Sequence, residues 1–113
     1  MKHRVAKFKL RKQYGESLSL KGVYCFWFAG HENMIYVGRT KRSFKARVEE
    51  HFHRMTNGTS KKIIHDYYCR AMINSFRFKI LEVVRDNNLM LKREEFYINK
   101  LNPKLNKIKK IIR

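Results

Sequence analysis

Two tyrosines, one arginine, one histidine and one glutamate carry most of the chemistry open to this chain. Tyr24 closes the tripeptide Gly22-Val23-Tyr24, and Tyr36 opens Tyr36-Val37-Gly38 twelve residues on. Arg47 and His51 stand four apart, on a face of an expected helix that also carries Arg54. Arg47 offers a planar, always-charged fork for a phosphate, and His51 can move a proton or fix a water. A tyrosine acts as a base only if its pKa, about 10 when free, is drawn down by cations or a metal. Arg39, Lys41, Arg42 and Arg47 lie close enough to Tyr36 in sequence to open that route. The plainer readings are that the tyrosines pack on strands and that Arg47 and His51 belong to a solvated helix face.

Glu94 is the least expected of the five. On a wheel of about 100° per residue with Met90 at zero, Tyr97 and Leu101 fall within about 20°, Ile98 near about 80° and Leu91 near about 100°. Glu94 lands at about 40°, inside that apolar stripe, and Glu95 at about 140°, on its flank. A buried carboxylate must be paired, neutral or metal-bound. Two readings follow: a salt bridge to one of the many cations, or one hard divalent ion held by a single carboxylate, water and a substrate phosphate, which suits Mg²⁺. Tyrosines, arginine, histidine and a misplaced glutamate are together the parts of a metal-assisted phosphodiester hydrolase.

Charge gives the reason to expect a phosphate polymer. The chain has 113 residues, with 27 Lys and Arg against 9 Asp and Glu, a formal charge of +18. Such an excess repels itself in the folded state, and a polyanionic partner explains it better than a solvated basic protein without one. The length fits one domain. No apolar run is long enough to span a bilayer, and the basic start Met1-Lys2-His3-Arg4 leads into no apolar segment of a secretory signal. A membrane partner is therefore not expected. Cys25 and Cys69 lack metal-ligand spacing and read as reduced, packed thiols of a cytoplasmic protein.

The elements that must position these residues follow from periodicity and breakers. Val23 to Phe28 and Met34 to Val37 read as strands around the turn Ala29 to Asn33. Arg39 to Arg42 reads as a basic connector ending at the N-cap Ser43. A helix follows over about Phe44 to Met55, with Phe44, Val48, Phe52 and Met55 as its apolar stripe. A second is expected over about Lys61 to Met72. Phe76 to Val84 reads as a third strand, Asp86 to Asn88 as a capping turn, and Leu89 to Lys100 as a last helix broken at Leu101-Asn102-Pro103. The order is that of an α+β domain with a small mixed sheet. Residues 1–21 read as a basic N-terminal arm containing a turn at Tyr14 to Ser17, residues 22–106 as the domain, and residues 107–113 as a basic tail.

The ordered set Gly22-Val23-Tyr24, Tyr36-Val37-Gly38, Arg47, His51, Glu94 and Asn106 resembles the GIY-YIG nuclease family. The resemblance covers about Gly22 to Asn106. Each tripeptide alone is a weak signal; the whole set in order is a strong one. Glu94-Glu95-Phe96-Tyr97-Ile98 is similar to the family's metal-glutamate helix, and Asn102 to Asn106 to its terminal asparagine motif. One departure stands out: some homing-type members have a second histidine where Ser60 lies here. The resemblance implies a three-stranded antiparallel sheet flanked by helices. It implies hydrolysis of a DNA phosphodiester with one divalent ion, Mg²⁺ or Mn²⁺ in its place. Glu94 then holds the metal, and one of Tyr24 and Tyr36 activates water while the other orients the phosphate. Arg47 stabilises developing charge with His51 beside it, and Gly38 and Asn106 support the site.

The leading expectation is thus a Mg²⁺-dependent DNA endonuclease of homing, restriction or repair type. The alternative is a DNA-binding module on the same fold with little or no cleavage. A silent relative is expected to lose the glutamate or the arginine, and this chain keeps both. DNA contacts are expected from Arg39, Lys41, Arg42, Lys61 and Lys62. The absence of room for a separate DNA-reading domain points to the basic arm and tail, a homodimer or a partner subunit for further affinity.

Overall fold

The computed structural model of the chain describes residues 14–60, 63–66 and 75–106. Three strands, β1 (Gly22–Phe28), β2 (Tyr36–Thr40) and β3 (Phe76–Val83), form one sheet in the order β2-β1-β3. Both pairings of the central β1 are antiparallel, so the sheet expected as mixed from the element order is antiparallel throughout, as the family resemblance implied. Between Val23 and Tyr24 the register against β3 slips from Glu82 to Ile80, leaving Leu81 as an extra residue on β3.

β1 reads as a continuous apolar run because it is buried on both faces. Tyr24, Phe26 and Phe28 pack with Phe76 and Phe78 against helix α1 (Phe44–Asn57), which presents Phe44, Val48, Phe52 and Met55 as its periodicity requires. Val23, Cys25 and Val37 pack on the opposite face with Met90 of helix α2 (Asn87–Leu101). Burying each of these large side chains stabilises the fold by about 1.5–3 kcal/mol. The expected caps are present. The Ser43 hydroxyl accepts from the Ala46 N–H at 3.1 Å and Asp86 from that of Asn88 at 2.9 Å. Helix α1 stops at Gly58 in the left-handed region (φ 71°). Asn102 takes the same conformation (φ 49°) ahead of Pro103 at the end of α2.

Three expectations change. β2 starts at Tyr36 instead of Met34 and runs on to Thr40, so Arg39 lies in the sheet and not in a connector. A polar edge strand carries little apolar signal, which hides it. Residues 14–21 are built into the domain instead of belonging to an arm. Gly15–Ser19 form a 3₁₀ helix, Leu18 is buried, and the Tyr14 hydroxyl donates to the Phe78 carbonyl at 3.0 Å. Leu91, placed at the edge of the α2 stripe, is exposed. Of the helix expected over 61–72, residues 63–66 are helical and Ile64 is buried. Lys61, Lys62 and Cys69, residues 1–13 and the tail 107–113 lie outside the described residues. Among the described residues no helix is long and apolar enough to cross a membrane.

Candidate active site

Strand alternation puts Tyr24, Tyr36 and Gly38 on the face that meets α1, where Arg47 and His51 lie one turn apart. The Tyr24 hydroxyl is the hub. It accepts from Arg47 Nε at 3.1 Å and lies 2.6 Å from His51 Nε2, the imidazole tautomer deciding which of those two donates. The Tyr36 and His51 rings meet edge to face at 5.5 Å. These four residues, drawn from the sequence as separate candidates, form one group.

Gly38 stands directly opposite Tyr24 in the β1–β2 register. A Cβ there would come within 2.5 Å of the Tyr24 hydroxyl and 2.9 Å of the Tyr36 ring. Only glycine leaves room for both rings. Gly22 answers a different need. Its φ is 155°, and a side chain there would overlap the Glu82 carbonyl of β3. Asn106 supports β2 from the other end of the chain. Its Oδ1 accepts from the Val37 N–H at 2.8 Å and its Nδ2 donates to the Val37 carbonyl at 2.7 Å. The Leu105 N–H also donates to the Ile35 carbonyl at 3.1 Å. The segment therefore satisfies the outer edge of β2 as a neighbouring strand would.

Burial sets the proton affinities here. It pushes Tyr24 well above the usual tyrosine value, with Tyr36 adding to the rise and Arg47 opposing it. Tyr36 is raised for the same first reason, again with Arg47 opposing. The lowering by nearby cations considered from the sequence is present through Arg47 but is outweighed by loss of solvent. His51 moves the other way. Burial, then the charges of Arg47 and Arg54, hold it down at about 3, so the imidazole is neutral at physiological pH.

Glu94 lies in the buried stripe of α2 as the wheel required, its side chain 12% exposed, while Glu95 is exposed. Its Oε1 accepts from Arg39 Nη1 at 2.5 Å. The salt-bridge reading is thus realised, with Arg39 as partner. Arg39 reaches it because residues 37 and 39 of β2 share the face toward α2. Glu94 and the tyrosines accordingly approach β2 from opposite faces. The Glu94 charge nonetheless acts on both tyrosines, raising each. Glu94 Oε2 has no hydrogen-bond partner among the described residues. Nor do those residues contain a cluster of three or more His, Cys, Asp or Glu. A donor set of one ion-paired, partly exposed carboxylate fits a hard cation that keeps most of its water, such as Mg²⁺, and not a closed cage.

Among the cations expected to meet DNA, Lys41 is exposed and Arg42 donates to Glu50 at 2.9 Å. Glu50 is the residue the sequence reading missed. Besides Arg42 it holds Arg47 through Nη1 and lies 3.6 Å from Arg54. The spacing of 47, 50 and 54 on one helix is its signal. His53 is exposed and lies 3.0 Å from the Asn57 amide, outside the group. Cys25 is a buried free thiol, raised by burial to about 11.

Comparison with solved structures places this arrangement. The catalytic domain of the homing endonuclease I-TevI is similar at 30% identity and a TM-score of 0.62, over 76% of this chain and 92% of that one. A glutamate-to-alanine mutant of the intron endonuclease I-TevI catalytic domain is similar at 29% identity and a TM-score of 0.65, over 77% and 89%. No curated protein matches the chain. Residues 20–109 match the GIY-YIG catalytic domain, a span that takes in both tripeptides, Arg47, His51, Glu94 and Asn106. With that span and that geometry, the chain is a member of the GIY-YIG nuclease family.

Proposed function

We propose that this chain is a metal-dependent endonuclease that hydrolyses DNA phosphodiester bonds. The observation that carries the reading is the enclosed Tyr24 hydroxyl, held between Arg47 Nε and the neutral His51. The bond from Nε aims the Arg47 guanidinium, and on a chain of formal charge +18 a guanidinium so fixed suits recognition of a phosphate polymer. Arg47 stabilises the charge that develops on the phosphate. One of Tyr24 and Tyr36 would take a proton from the attacking water and the other orient the phosphate; because burial raises both, that role requires a bound cation to draw the phenol down. Neutral His51 fixes the Tyr24 hydroxyl through Nε2. Glu94 would hold one Mg²⁺, or Mn²⁺ in its place, and such an ion supplies Lewis-acid polarisation of the phosphate and a more acidic water. Lys41 and Arg42, with Lys61, Lys62, the basic residues 1–13 and the tail 107–113, supply backbone affinity. Arg39, committed to Glu94, contributes by orienting that carboxylate.

The biological setting is of homing, restriction or repair type, in a cell's cytoplasm. One catalytic centre cuts one strand per encounter, so double-strand cleavage requires a second copy, a partner subunit or a second visit. The reading is tested by incubating supercoiled plasmid with the purified chain in Mg²⁺ or in excess chelator. Nicked or linear product with Mg²⁺ alone supports it. Undiminished cleavage in chelator removes the metal, and tight DNA binding without cleavage in either condition favours the binding-module alternative.

A further inference from the structure

We propose that Glu50 is a positioning residue for Arg47, clamping the guanidinium so that its Nε stays aimed at the Tyr24 hydroxyl; the inference rests on the endonuclease reading above. Arg47 uses two different edges. Nη1 is bound to Glu50, one turn along α1, and Nε donates to Tyr24 at 3.1 Å. An arginine side chain has several freely rotating bonds, and a single contact does not fix the plane of its fork. A second contact on the other edge does. Glu50 suits this task because it is itself held from both sides, by Arg42 at 2.9 Å and by Arg54 at 3.6 Å, with its side chain 29% exposed. The same carboxylate brings Arg42 and Arg54 beside Arg47. Removing an acidic group from a DNA-facing surface ordinarily tightens binding to a polyanion. A clamp has the opposite consequence for turnover. Affinity and rate therefore separate, which neither simple repulsion of DNA nor a role in folding alone produces.

The test compares full-length wild type with Glu50→Ala, Glu50→Gln, Arg47→Ala and the Arg47→Ala/Glu50→Ala double variant. Three readouts are taken: single-turnover cleavage of supercoiled plasmid, DNA binding, and the Nε–H resonance of Arg47 by NMR, assigned by its loss in Arg47→Lys. Glu50→Ala is expected to cut about 10- to 100-fold more slowly with binding equal or tighter. Glu50→Gln, which keeps an acceptor oxygen, should recover most of the rate. In the Arg47→Ala background the Glu50 change should add less than about threefold. The Nε–H signal, sharp in wild type, should broaden or shift toward that of a free arginine in Glu50→Ala and be retained in Glu50→Gln. An unchanged Nε–H signal and rate in Glu50→Ala, additive losses in the double variant, or a Gln variant no better than Ala overturns the proposal. If the wild type cuts no DNA, the endonuclease reading falls, and the Nε–H comparison still decides whether Glu50 positions Arg47.

Discussion

The Tyr24 hydroxyl fills the space in which a side chain at position 38 would begin, since a Cβ on Gly38 would lie 2.5 Å from it. The glycine of the second tripeptide thus exists for the tyrosine of the first. Gly38→Ala forces either Tyr24 or the edge strand to move, and overpacking of this kind costs about 1–3 kcal/mol. Displacing the hydroxyl also breaks its contacts with Arg47 and His51. Gly38→Ala should therefore lower the melting temperature and cut cleavage more than about tenfold. A stable variant with the wild-type rate would show that the close approach has no catalytic consequence.

Asn106 carries a different load. Both of its amide groups are spent on the backbone of Val37, and it is buried. Asn106→Ala leaves a buried N–H and a buried C=O of β2 without partners, at about 1–3 kcal/mol each. Denaturant unfolding should show a loss of about 2–6 kcal/mol, and Asn106→Asp, whose second carboxylate oxygen would face the Val37 carbonyl, should lose at least as much at neutral pH. A loss under about 0.5 kcal/mol in Asn106→Ala would mean that water replaces the clamp.

His51 gives the fold a pH dependence. Its folded pKa, about 3, lies below the usual 6.5, so as pH falls the unfolded chain takes up the proton first. The stability linked to it is whole above about pH 6.5 and declines toward pH 3, by about 1.4 kcal/mol per unit. Urea midpoints should drop across that window, and His51→Gln should flatten the drop. Equal slopes in the two proteins would contradict the buried, neutral assignment. For the same reason, the cleavage rate should show no His51 inflection near pH 6.5.

The two tyrosines should respond unequally to loss of their hydroxyls. The Tyr24 hydroxyl has two partners, and its ring is fully buried. Tyr24→Phe strands His51 Nε2 and Arg47 Nε and should destabilise by about 1–3 kcal/mol. Tyr36, half-buried, should lose less in Tyr36→Phe. At least one variant should be nearly inactive in plasmid cleavage. Near-normal cleavage by both would exclude a tyrosine hydroxyl as proton acceptor or phosphate orienter.

How far these features can be read from the residues alone depends on the range of the interaction. Local signals sufficed for α1, its cap Ser43, and the phase of Glu94 on α2. The ordered motifs were enough to bring Tyr24, Tyr36, Arg47 and His51 forward as candidates. The partner of Glu94 was not readable, because any of 27 cations could have met it and Arg39 does so only once β2 extends to Thr40. The direction of the tyrosine shifts was hidden too. Sequence showed the cations, but the enclosure that outweighs them comes from Phe44 and Phe78 closing over Tyr24. Glu50 was overlooked because an acid among arginines on a helix surface usually contributes little.

The proposal that this chain cuts DNA through a metal held on α2 stands on Glu94, and Glu94→Ala is its decisive test. The measurement is single-turnover cleavage of supercoiled plasmid in Mg²⁺ by wild type, Glu94→Ala and Glu95→Ala, with DNA binding followed in parallel. Glu94→Ala is expected to fold, to bind DNA at least as well as wild type and to cut at least about a thousandfold more slowly, a loss at the upper end of those for electrostatic groups in active sites. Glu95→Ala should remain close to wild type. Wild-type cleavage by Glu94→Ala would overturn the metal proposal and leave the Arg39–Glu94 pair as a structural ion pair.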